Sequence, residues 1–165
     1  MYQPVAKTLA IEALKGGPAA DAFGRSAFNR YYYSAYLSTR NFLNQFDSKW
    51  GSQSHANIPD TIEVNLIKLI NASAEKARRT GLISDSDKER IKSLAKTTAR
   101  MYASLLREAY DTRCTADYQP ETKLEFNEKG FSITGTTNST AERWLIEVNQ
   151  KKGTLMGLCK ELGIA

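Results

Sequence analysis

The chain has 165 residues, 41% of them hydrophobic and 25% charged, which suits one soluble globular domain with a sizeable core. No apolar run approaches the roughly 20 residues needed to span a bilayer, so no membrane-spanning helix is expected and a cytoplasmic protein is the default. Two cysteines far apart (Cys114 and Cys159) and a single histidine, His55, offer neither a disulfide framework nor a metal-ligand set; no metal or cofactor is expected.

In chain order, the first helix is predicted from about Pro4 to Lys15, with Ala6, Leu9, Ala10, Ala13 and Leu14 on one face and Gly16-Gly17 as its stop. It lacks the apolar block of a signal peptide. A long aromatic helix follows from Asp21 to Phe46. Ala27, Phe28, Tyr31, Tyr32, Ala35, Tyr36, Phe42, Leu43 and Phe46 fall within about half its circumference. Its other face carries Asn29, Arg30, Tyr33, Leu37 and Arg40. The next stretch reads as a loop up to Pro59, which suits the first turn of a third helix built on Ile62, Leu66, Leu69 and Ile70.

The fourth helix is predicted from about Asp87 to Cys114 or beyond. Its start lies at Ser84 or Ser86, and Ser86 with Glu89 fits a capping box. Ile91, Leu94, Ala95, Thr98, Met101, Tyr102, Leu105 and Ala109 share one face, while Lys88, Lys92, Lys96 and Arg100 step every four residues along another. Arg113 projects toward the apolar side, where a charge needs a partner. Between Lys76 and Arg113 there are ten basic and five acidic residues, which accounts for the whole net charge of +5. Such a segment can attract phosphate or serve only as a solvated helix face.

From Gln119 to Thr137 the period changes to two. Leu124 and Phe126, then Phe131 and Ile133, alternate with polar residues around the turn Asn127 to Gly130, which predicts a short β-hairpin. Ser139 with Glu142 is expected to cap the last helix, which Gly153 and Gly157 should weaken. Glycine-rich phosphate loops are absent. Two patterns remain: Asn29 to Tyr36, NRYYYSAY, and Arg113 to Tyr118, RCTADY. In the second, Arg113 and Asp117 lie four apart and can pair along one helix with no further role.

Taken together, SAFNRYYYSAYLSTRNFL, SHANI and LREAYDTRCTADY resemble the HEPN superfamily (higher eukaryotes and prokaryotes nucleotide-binding). The likeness is to its prokaryotic branch with an S-x-x-x-R-A-Y-Y-A-x-[FY] helix, a T/S-H pair and a closing R-x-x-[AG]-D-Y. Ser26, Arg30, Tyr32, Tyr33 and Tyr36 match the first motif. Ser54-His55 match the second, and Arg113, Ala116, Asp117 and Tyr118 the third. The resemblance covers roughly Asp21 to Tyr118. It implies a dimerising four- or five-helix bundle, often a metal-independent ribonuclease, a toxin paired with a nucleotidyltransferase antitoxin, or a phage-defence module.

The chain departs from the R-x(4–6)-H pattern of the nuclease members. Tyr36 stands six residues after Arg30 and Tyr118 five after Arg113, where a histidine would be expected. Metal-free RNA cleavage needs a base and an acid that titrate near neutrality, and neither tyrosine nor arginine does. Only His55 or Asp117 could serve as the base.

The expected fold is all-α, an up-and-down four- to five-helix bundle with a small β-hairpin before the last helix. It forms a single HEPN-like domain over 1–165 with 119–137 as a β-hairpin insertion. Candidate catalytic residues are Arg30, Arg113, Asp117 and His55. Candidate RNA- or partner-binding residues are Asn29, Tyr33, Arg40, Tyr118, Lys88, Lys92, Lys96 and Arg100. The expected function is a binding module of a toxin–antitoxin or phage-defence system. It would act on RNA, a nucleotide or a nucleotidyltransferase-type partner, as a homodimer or in a complex. A metal-independent endoribonuclease and a structural dimerisation module are the alternatives. Arg30, Arg113 and Asp117 are expected to lie close together, and Tyr33 and Leu37 to need a second surface.

Overall fold

The computed structural model describes residues 2–164. The chain is mostly helical, with a small antiparallel sheet before the last helix. In order come α1 (Tyr2–Leu14), α2 (Ala20–Leu43), α3 (Ser48–Gly51) and α4 (Ile58–Asp60). A π-helical segment (Thr61–Leu66) then leads into α5 (Ile67–Arg79) and α6 (Asp85–Tyr118). Strands β1 (Glu125–Asn127), β2 (Gly130–Ile133) and β3 (Thr136–Thr137) and helix α7 (Asn138–Glu161) complete it. The apolar side chains gather in two compact units, 1–38 with 106–147 and 39–105 with 148–165.

In the first unit, the inner faces of α1 and α2 bury Ala6, Ala10, Ala13, Ala27, Phe28, Tyr31, Tyr32, Ala35 and Tyr36. Complete burial of an aromatic ring contributes roughly 2–3 kcal/mol, so the predicted stripe of α2 is a main source of stability. Leu14, placed on the same face by its spacing, is instead half exposed. The β1–β2 hairpin turns at Glu128-Lys129 with Asn127 opposite Gly130, so the predicted turn is in place. Phe131 and Ile133 point inward, and the Phe131 ring meets Phe28 edge-on at 5.5 Å. Beyond the expected hairpin, a third strand pairs Ile133 with Thr136. The turn between β2 and β3 is Thr134-Gly135, both with positive φ (46° and 84°), the pairing that a tight two-residue hairpin requires.

The second unit is built on Phe42, Leu43, Ile58, Ile62, Leu66, Ile70, Ile91, Ala95, Ala99, Tyr102, Val148 and Leu155. A buried hydrogen bond of 2.9 Å joins the hydroxyls of Thr39 and Tyr102. Pro59 opens the helical run, as expected. On α6 the predicted Ile91, Ala95, Thr98, Tyr102 and Ala109 are buried, but the buried line also takes in Ala99, Ala103 and Leu106, whereas Leu94 and Met101 are exposed.

Of the two expected starts for α6, Ser84 is the one used: Ser84 Oγ accepts the Asp87 N–H at 3.0 Å and the Asp87 carboxylate accepts the Ser84 N–H at 3.3 Å, so the box expected at Ser86 and Glu89 is not the cap. Ser84-x-x-Asp87 is the same box as Ser86-x-x-Glu89, and the earlier one satisfies the outermost N–H groups. Helix α7 is capped by Thr137, whose Oγ1 accepts the Thr140 N–H at 3.1 Å, and Ser139 lies inside the helix. Gly153 and Gly157 do not end it, because buried Leu155, Leu158 and Cys159 anchor that stretch.

Candidate functional site

The last turns of α6 set Arg113 and Asp117 on one face, four residues apart. Arg113 Nε lies 2.7 Å from Asp117 Oδ2, yet its N–H is not directed at that oxygen, so the pair is a Coulombic contact more than a hydrogen bond. The same oxygen accepts a hydrogen bond of 2.8 Å from Asn29 Nδ2 on α2. The guanidinium carbon of Arg113 stands 5.9 Å from the Tyr33 ring and 5.0 Å from the Tyr118 ring. Its Nη1 approaches Cys114 Sγ at 3.9 Å. Burial alone would weaken the charge. Contacts with Cys114, Asp117 and Tyr118 outweigh it and hold the guanidinium even more basic than usual.

Around this pair runs a belt of tyrosines. Tyr32 stacks on Tyr36 at 5.8 Å and approaches Tyr110 at 5.9 Å, while Tyr33 contacts Tyr2 at 6.2 Å. The exposed Arg30 lies 5.5 Å from the centre of the Tyr2 ring. Arg30 therefore reaches Arg113 through Tyr2 and Tyr33 and does not share the Asp117 carboxylate. Burial raises the Tyr32 hydroxyl well above its usual pKa, and the Cys114 hydrogen bond raises Tyr110. At neutral pH these two can donate hydrogen bonds but cannot act as bases. Tyr118, two-thirds exposed, presents the open side of the cluster.

One residue that sequence reasoning missed holds this end of the chain in place. Arg25 pairs with Asp21 at 2.6 Å and donates to the carbonyls of Ala116 (3.0 Å), Gln119 (3.2 Å) and Thr122. Asp21 also accepts the Leu124 N–H at 3.2 Å. Helix α6 stops at Tyr118 because Gln119 precedes Pro120, a position that disfavours helix, and Arg25 satisfies carbonyls that the stop leaves open.

No family model, curated protein or solved structure matches this chain.

The remaining candidates belong to the second unit. His55 is half-buried in the turn before α4. Arg40 Nε donates to the Gly51 carbonyl at 2.8 Å, a contact that braces α3. In the basic stripe, Lys88 pairs with Glu89 (3.3 Å), Asp85 (3.5 Å) and Glu75 (3.7 Å), and Lys92 pairs with Glu75 (3.3 Å). Only its later members, Lys96 and Arg100, are exposed. Tyr33 is covered within its own unit by Tyr2 and Arg113, and Leu37 is half-buried, so neither demands a second surface. Among the described residues no group of three or more His, Cys, Asp or Glu side chains is placed to hold a metal, and no helix is long and apolar enough to cross a membrane.

Proposed function

We propose that this chain is a HEPN-like helical bundle that binds single-stranded RNA at the face formed by Asn29, Arg30, Tyr33, Arg113, Asp117 and Tyr118, without the arginine–histidine chemistry of the nuclease members. The observation that carries this reading is the exposed Tyr118 ring with the Arg113 guanidinium beneath it, itself fixed by Asp117 and Asn29. A ring backed by a cation offers a stacking platform for any base, and the exposed Arg30 nearby offers a charge for the phosphates. The superfamily resemblance adds the setting, a toxin–antitoxin or phage-defence system. In that setting a nucleotidyltransferase-type protein is the natural partner.

Several features favour binding over cleavage. Asp117 is committed to Arg113 and Asn29, and Tyr32 and Tyr110 keep their protons. Fluorescence anisotropy with a labelled single-stranded RNA tests the reading. Affinity should fall with salt, and Tyr118→Ala should weaken it about tenfold, the value of one stacked base. The RNA should stay intact with or without EDTA. Chelator-resistant cleavage that leaves a 2′,3′-cyclic phosphate and vanishes in Arg113→Ala would overturn the reading in favour of a nuclease. Failure to bind RNA, with capture of a nucleotidyltransferase, would assign the face to a protein partner.

A further inference from the structure

We propose a second binding site, in the cleft between Phe46, Asp47 and Trp50 on one side and Asn65, Lys68 and Leu69 on the other. It would take a small ligand that combines a planar aromatic ring, an amino group and an anionic group. The cleft has a volume of about 480 Å³, within the roughly 300–1,000 Å³ typical of small-molecule sites. Its lining lies wholly in the second unit, so the inference does not rest on the Arg113 face.

The aromatic wall is pre-formed. The Phe46 and Trp50 rings lie 6.4 Å apart at 32°, and Phe42 supports Phe46 edge-on at 5.3 Å. Trp50 sits on a four-residue helix that would not hold its shape alone. It is braced at both ends: Asp47 Oδ1 accepts the Lys49 N–H at 2.8 Å, and Arg40 Nε donates to the Gly51 carbonyl at 2.8 Å. The facing wall includes the π-helical segment that supplies Asn65, and such wide turns recur at binding sites. Asn65 and Lys68 are exposed, and among the described residues neither side chain has a hydrogen bond or ion-pair partner. An unpaired ammonium beside an amide donor recognises a phosphate or carboxylate. The rings take a planar group, and Asp47 accepts from an amine.

Two kinds of small molecule share this chemistry, a nucleoside monophosphate and an aromatic amino acid. Titration calorimetry of the full chain with adenosine 5′-monophosphate, L-tryptophan and inorganic phosphate separates them. One of the two aromatic probes should bind, and phosphate alone should not. Lys68→Ala and Trp50→Ala should each weaken binding about tenfold or more. Lys68 is exposed, so its variant tests the site without threatening the fold. The proposal is overturned if neither aromatic probe binds at millimolar concentration. It is equally overturned if phosphate binds as well as they do, or if both cleft variants leave binding intact.

Discussion

At Asp117 a single carboxylate oxygen receives both the Asn29 amide and the flank of Arg113, so α2 and the last turns of α6 meet at one atom. Arg113→Ala should lower stability by about 1–3 kcal/mol, because it strands a partly covered carboxylate; the urea midpoint reads this directly. Asp117→Asn should cost less, since it still accepts from Asn29. One part of the pH dependence belongs to Asp21. Burial would raise its pKa, but the Arg25 hydrogen bond, the Leu124 amide and nearby cations hold it below the usual value. A carboxylate depressed in the folded state contributes stability above its unfolded pKa of about 4 and loses it as the pH falls through the folded value. The acid limb of the stability profile should therefore be shallower in Asp21→Asn. Of these residues Arg113 and Asp117 were legible from their spacing. Arg25 and Tyr2 were not, because their partners are backbone carbonyls and rings distant in sequence, which leave no local pattern.

Helical periodicity placed the main helices, and a period of two placed β1 and β2. The third strand escaped because its turn is Thr-Gly, which lacks the asparagine or aspartate that usually marks such a hairpin. The π-helical segment escaped because its sequence satisfies an ordinary helical pattern. Packing between helix and sheet is tested at Gly24. A Cβ there would collide with Leu124 Cδ1 and press on Phe131 Cε2 at 3.2 Å, so Gly24→Ala should destabilise by about 1–3 kcal/mol despite its better helix propensity. Gly157 also lies within a helix but has nothing within 4 Å of the added carbon. Gly157→Ala should stabilise by about 0.5–1 kcal/mol. Thermal denaturation of the two variants side by side reads opposite signs from the same chemical change.

For the whole molecule, the excess charge of the Lys76 to Arg113 segment is partly met by Glu75 just outside it, which pairs with both Lys88 and Lys92. Raising salt should therefore weaken RNA binding far more than it weakens folding. The HEPN-like reading also expects self-association, so sedimentation at micromolar concentration should show a dimer; a clean monomer would count against that reading.

Each compact unit contains one of the chain's two tryptophans, Trp144 in the first and Trp50 in the second. Trp144 is 1% exposed and its indole N–H has no hydrogen-bond partner among the described residues, so its emission should be blue-shifted and shielded from iodide. Trp50, half-buried at a cleft, should emit further to the red and be quenched. The protein thus carries its own pair of optical reporters. In Trp50→Phe and Trp144→Phe variants, coincident fluorescence transitions would mean that the units melt as one cooperative body, and separated ones that each keeps its own midpoint.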